Sequence, residues 1–134
     1  MTDQNASEPN AADQNPADQD PSAQPPPGPD APRTETADLR VVVDRIEGRS
    51  VCGLAPGDYV EITRSSQLRI PEGRHFCMYA LASVLPLLPA KQRALRDGDW
   101  LASDSLVACP DPDERLIMRI ERIGHSSIPT EELT

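Results

Sequence analysis

The sequence has few aromatic residues, and the first 36 positions have none. Those positions also lack Ile, Val and Leu, while they hold eight of the fifteen prolines. A segment of this composition cannot bury enough apolar surface to offset the entropy lost on ordering the chain. We therefore expect residues 1–36 to form a disordered, acidic, Pro-rich tail, in which the proline run at 25–29 is extended.

Three further features are missing: an apolar run of about 18 residues that would span a membrane, the basic and apolar start of a secretory signal, and a basic block. The tail has seven acids and one arginine, and residues 37–134 have fifteen acids and twelve bases. This balance disfavours both nucleic acid and an anionic membrane surface as partners. We expect a cytoplasmic protein. One hypothesis for its function is an interaction module whose N-terminal tail contacts a protein partner.

Apolar and polar residues alternate in several short segments, which is typical of strands with one buried face. A helical stripe begins at Cys77, is broken by Pro86 and resumes near Pro89. These patterns predict an α+β domain over residues 37–124, followed by a flexible C-terminus at 125–134. The expected order is β-β-β-α-β-β, in a small, mostly antiparallel sheet with one Pro-broken helix. The predicted strands are 39–47, 59–64, 68–70, 105–109 and 115–123. The predicted helical pieces are 77–85 and 90–96.

Charged side chains on the predicted strands are expected to form a solvated face rather than a site. The arginines concerned are Arg40, Arg45, Arg64, Arg69 and Arg74. Asp111 and Asp113 are expected to order the turn after Cys109 through hydrogen bonds to the backbone, because Asp side chains commonly bond the amide two residues on.

The three cysteines lie at boundaries between predicted elements and form no CxxC pair. Cys52 is in a Gly-rich loop, Cys77 at a helix start and Cys109 at a strand end. If these boundaries meet at one edge of the sheet, the three thiolates and His75 make a tetrahedral Cys₃His set for zinc. Without His75, the three thiolates leave the fourth coordination position open for water or substrate. Soft thiolate ligands also bind Cu(I) or iron.

Two other interpretations of the cysteines stay open. Free cysteines are among the most buried residues, so all three can be inert core thiols. Alternatively, Cys77 is the nucleophile of a thiol-dependent enzyme, with His75 as its base. The odd number of widely spaced cysteines favours reduced thiols over a disulfide framework.

Residues 39–123 resemble a small, sporadically distributed family of uncharacterised prokaryotic proteins with three cysteine blocks. The matching residues are Cys52 with Gly57-Asp58, Cys77 with Ala80, and Ala108-Cys109-Pro110-Asp111. Met78 stands where the family pattern usually has proline. The resemblance implies a shared fold and a shared three-cysteine site, and it implies no particular reaction.

Overall fold

The computed structural model describes residues 26, 28–103 and 105–133 of the chain. Five strands and two short helices make up the regular structure, in the α+β arrangement that the sequence predicts. In chain order they are β1 (Arg33–Ile46), β2 (Tyr59–Thr63), β3 (Gln67–Arg69), α1 (Met78–Val84), α2 (Leu88–Lys91), β4 (Ser105–Ala108) and β5 (Leu116–Pro129). Short 3₁₀ helices lie at Trp100–Ala102 and Thr130–Glu132.

The strands form one antiparallel sheet in the order β3-β2-β1-β5-β4. Val41 lies at its centre, opposite Val60 on β2 and Ile120 on β5. These three side chains are fully buried and share one sheet face, because residues directly opposite each other on neighbouring strands project to the same face. Ala80, Val84 and Leu88 of the helical segment join them, so the core lies between the sheet and the two helices.

The pairing of β1 with β5 extends beyond the sequence prediction at one end of the ladder, where β1 begins and β5 ends. It runs from Arg33 opposite Pro129 to Ile46 opposite Leu116, with register shifts at Asp38/Leu39 and Val43/Arg45. Positions 33–36 of the predicted tail and 125–129 of the predicted flexible C-terminus are therefore strand. Residues 1–25 of the predicted tail lie outside the described residues.

Pro86 ends the first helix, as expected from its missing amide hydrogen. The second helical piece was expected at 90–96, but α2 begins at Leu88 and ends at Lys91. Leu85, which the apolar stripe placed in the core, is 48% exposed. Val84 and Leu88, by contrast, are buried.

The other sheet face carries ion pairs between neighbouring strands. Arg40 of β1 donates to Glu61 of β2 at 2.7 Å and lies over the Tyr59 ring. Arg119 of β5 pairs with Asp44 of β1 and with Glu121. This arrangement agrees with the solvated charged face inferred from the sequence, and exposed pairs of this kind contribute at most about 1 kcal/mol each.

Lys91, the last residue of α2 and the only lysine in the sequence, is 1% exposed. Its Nζ donates to the carbonyls of Leu101 and Ser103 at 2.7 Å and to Ser105 Oγ at 3.1 Å. A buried ammonium is tolerated when its hydrogens are bonded. Lys91 therefore ties α2 to the segment that enters β4.

Gly48 lets the chain after β1 pass against the turn before β5. Its amide donates to the Glu114 carbonyl at 3.0 Å, and the neighbouring Arg49 amide donates to the Asp113 carbonyl. A Cβ at position 48 would lie 2.0 Å from the Asp113 carbonyl oxygen, which belongs to the backbone and cannot rotate away. Only glycine permits this approach.

The turn between β2 and β3 holds two non-glycine residues in a left-handed conformation. Arg64 has φ +50° and Ser65 has φ +72°. For residues with a Cβ this conformation costs roughly 1–2 kcal/mol. The Gln92 side chain donates to the Ser65 carbonyl at 2.8 Å and helps to hold the turn.

Among the described residues, no helix is long and apolar enough to cross a membrane.

We predict that Gly48→Ala lowers the free energy of unfolding by about 2 kcal/mol or more, because the new methyl group overlaps the backbone at Asp113. Urea denaturation measures the change. Gly124→Ala is the control, since its Cβ would approach no closer than 3.8 Å to the Asp38 carboxylate. Equal stability of the two variants would contradict the close approach at Gly48.

We predict that Ser65→Gly raises the free energy of unfolding by roughly 0.5–1 kcal/mol, because relief of the left-handed strain exceeds the entropy that glycine adds to the unfolded chain. Thermal unfolding followed by circular dichroism measures it. Ser66 lies in the same turn without a positive φ. Ser66→Gly should therefore give no gain, and a similar gain in both variants would refute the explanation.

Candidate functional site

Cys52 lies in an irregular loop between β1 and β2, as the sequence predicts. Gly53 and Gly57 have positive φ, the Ser50 hydroxyl donates to the Leu54 carbonyl, and Asp58 accepts from the Ala55 amide. Leu54 is 2% exposed and anchors the loop in the core. The loop is thus fixed by its own hydrogen bonds and by one buried side chain, and Cys52 is held in place next to that anchor.

Glu114 presents a buried carboxylate to the Cys52 loop. Its side chain is 1% exposed. Oε2 accepts from the backbone amides of Val51 at 2.8 Å and Cys52 at 3.1 Å, and Oε1 accepts from Cys52 Sγ at 3.1 Å. A buried carboxylate is costly unless it is hydrogen-bonded, and these donors offset part of the lost hydration.

The turn that carries Glu114 is ordered by Asp111. Its Oδ1 accepts from the amides of Asp113 at 2.9 Å and Glu114 at 3.3 Å. The predicted role in ordering the turn is confirmed for the Asp111 side chain. Asp113 takes part through its backbone amide and carbonyl instead of its side chain. Because Gly48 packs on the same turn, Glu114 is fixed both from within the turn and from β1.

The other two cysteines also lie at element boundaries, where the sequence placed them. Cys109 directly follows β4, is 7% exposed and donates its amide to the Leu116 carbonyl. Cys77 precedes α1 and is half-buried, and its carbonyl accepts from the Leu81 amide. All three cysteines contact the same hydrophobic core.

Burial and neighbouring groups raise the pKa of two of the three cysteines. Burial raises the pKa of the Cys52 thiol to about 12, with the hydrogen bond to Glu114 and the nearby Cys77 adding to the rise. Burial also raises the pKa of Cys109, and both Cys77 and Glu114 contribute. The fold packs three cysteines that are 25 and 32 residues apart in the sequence against one hydrophobic core. At neutral pH, Cys52 and Cys109 are thiols.

His75, the fourth predicted ligand, braces the Cys52 loop. Its Nε2 donates to the Cys52 carbonyl at 2.8 Å, and its ring lies 3.5 Å from the position that a Cβ on Gly53 would occupy. The side chain is exposed. His75 is therefore beside the cysteines, and in this arrangement Nε2 is engaged with the backbone.

An open cleft of about 200 Å³ adjoins His75. Arg74 and Asp58 form an ion pair at 2.9 Å at its wall, and Tyr59 completes the polar lining. This cleft gives solvent access to the His75 side of the Cys52 loop.

Within residues 28–103 and 105–133, no three Cys, His, Asp or Glu side chains are already placed as they would be around a metal ion. The metal set predicted from the sequence, Cys52, Cys77, Cys109 and His75, stays a prediction. Glu114 is the residue that sequence reasoning missed. It lies three residues after Asp111, in the turn that follows Cys109, but a surface position is the ordinary expectation for a glutamate.

Comparison with known proteins found no matching protein-family model, no matching curated protein and no matching solved structure.

We predict that Cys52 resists alkylation until the pH approaches 12, and that Glu114→Gln accelerates its reaction with iodoacetamide at pH 9. Removing the carboxylate charge lowers the pKa of the thiol, and each unit of decrease raises the thiolate fraction about tenfold. Peptide mass spectrometry of chelator-treated protein measures labelling at each cysteine.

The exposed Glu72 supplies the control, because Glu72→Gln should leave Cys52 labelling unchanged.

The raised pKa of Cys52 also makes the stability of the fold depend on pH. The unfolded thiol loses its proton at lower pH than the folded one, so Cys52 stabilises the fold fully below pH 9, and this contribution is lost as the pH rises through about 12. Rapid labelling of native Cys52 at pH 9 would contradict both statements.

Proposed function

We propose that the domain binds a transition metal ion, zinc first, through the thiolates of Cys52, Cys77 and Cys109. The observation that supports this proposal best is that all three cysteines contact one hydrophobic core, with Cys52 Sγ lying 3.1 Å from the buried carboxylate of Glu114. Thiolate is the ligand type that zinc, Cu(I) and iron share. A reducing compartment such as the cytoplasm would keep the three thiols available.

Glu114 is the fourth ligand in this proposal. Its Oε1 already lies 3.1 Å from Cys52 Sγ. Zinc accepts carboxylate oxygen alongside sulfur at about 2.0–2.2 Å. His75 is the alternative that the sequence suggested, but binding through Nε2 would cost the bond that this nitrogen makes to the Cys52 carbonyl.

Metal binding would require the thiols to rotate towards a common centre and to lose their protons. The raised pKa values of Cys52 and Cys109 make this loss unfavourable without a metal. A bound ion reverses the balance, because coordination releases the thiol proton. Affinity is therefore expected to fall as the pH decreases. The burial of Cys109 and Glu114 favours a closed, structural site over one with an open position.

The thiol-enzyme alternative has less support. It needs a base at Cys77, and His75 directs Nε2 to the Cys52 carbonyl instead. The interaction-module alternative concerns the tail, of which residues 1–25 lie outside the described residues.

We predict that chelator-treated protein takes up one zinc ion per chain and that zinc protects all three thiols from a colorimetric thiol reagent. Each single Cys→Ser variant should weaken the affinity at least tenfold, measured by competition with a chromophoric chelator. Zinc should also raise the melting temperature, because it binds the folded state.

Two matched pairs identify the fourth ligand. Glu114→Gln should weaken zinc binding about 10–100-fold while Glu72→Gln has no effect, and His75→Gln should cost less than Glu114→Gln, with His125→Gln as its control. Stoichiometry near zero with three freely reacting thiols would refute the metal site. A larger loss in His75→Gln than in Glu114→Gln would refute only the role given to Glu114.

A further inference from the structure

A second cavity lies at the opposite end of the β1–β5 ladder from the cysteines. Its volume is about 500 Å³, within the range of small-molecule sites. Hydroxyl side chains from three parts of the chain line it, together with the guanidinium-bearing Arg93. The hydroxyl residues are Thr34 and Thr36 of β1, Ser65 and Ser66 of the β2–β3 turn, and Thr130.

Thr36 leaves a buried polar atom unsatisfied. The residue is 7% exposed, and its Oγ1 has no hydrogen-bond partner in the described part of the chain. A buried hydroxyl without a partner costs about 1–3 kcal/mol, so such groups are rare and point to a missing water, ion or ligand. By contrast, the Thr34 hydroxyl is satisfied by Thr130 at 2.9 Å.

Arg93 adds an exposed cation to the lining of the cavity. No acidic side chain among residues 28–103 and 105–133 pairs with it, and its own carbonyl accepts from Arg122. Arg93 and Thr36 also line a neighbouring cavity of about 80 Å³ together with Arg122 and His125. Glu35 is the acidic residue in the lining of that smaller cavity.

The strained turn faces the same cavity. Ser65 lines it and has φ +72°. Strained backbone persists where the surroundings hold it, and it occurs preferentially at ligand sites. The hydrogen bond from Gln92, another lining residue, supplies that restraint.

We propose that this cavity binds a small molecule that carries an oxyanion group, a phosphate or a carboxylate. Arg93 pairs with the anion, since a guanidinium matches the geometry of these groups. The Thr36 hydroxyl donates a hydrogen bond to the ligand, and the other hydroxyls bind its polar part. The site is independent of the cysteine cluster, so zinc is not required for binding.

The test is a titration of the full ¹⁵N-labelled chain with inorganic phosphate and, separately, with succinate, at constant ionic strength set by chloride. Saturable shifts of the amide signals of Thr36, Ser65 and Arg93 are expected with at least one probe. Arg93→Gln should weaken binding at least tenfold, and Arg96→Gln should not, because Arg96 is exposed like Arg93 but does not line the cavity.

Thr36→Val separates a ligand-binding role from a structural one. Without ligand it should be as stable as the wild type or more stable, because an unsatisfied hydroxyl becomes a methyl group of the same shape. With ligand it should bind about tenfold more weakly. Linear, unsaturated shifts with both probes, or equal shifts in Arg93→Gln, would overturn the proposal, as would a large loss of stability in ligand-free Thr36→Val.

Discussion

The antiparallel pairing of β1 with β5 is the constraint on which both candidate sites depend. The two fourteen-residue strands join segments that are far apart in the sequence, and each end of the ladder holds a different cluster. Where Ile46 meets Leu116, Gly48 packs on the turn that presents Glu114 to Cys52. Where Thr34 meets Ile128, the unsatisfied Thr36 hydroxyl lines the second cavity. At about 3.3 Å per residue, the ten residues from Thr36 to Ile46 span about 33 Å along β1.

The alternation of apolar and polar residues was sufficient to predict the centre of the sheet. Leu39, Val41 and Val43 are buried in the core, so apolar residues recur at every second position there. It failed at the outer ends of β1 and β5. There most of the paired residues are polar, as in Glu35 opposite Ser127, so the segment shows no apolar period. The register shift near Ile123 interrupts the alternation further.

The sequence predicted where each cysteine lies along the chain, since glycine turns, a helix start and a Pro-Asp turn are local signals. It did not predict Glu114, because the burial of that carboxylate depends on contacts with Gly48 and Val51, more than sixty residues away. His75 shows that closeness in sequence can also mislead. It is two residues from Cys77, but its side chain donates a hydrogen bond to the carbonyl of Cys52. Neighbours in sequence were a poor guide to neighbours in space.

Lys91 has a consequence for the chemistry of the whole surface. It is the only lysine in the sequence, and it is enclosed by the carbonyls of Leu101 and Ser103. The folded domain therefore offers amine-directed reagents no exposed lysine side chain, so cross-linking through lysine would miss any partner of this surface. Acylation of Lys91 requires the 101–105 segment to open. The rate of Lys91 acylation therefore reports the rate of local unfolding beside β4.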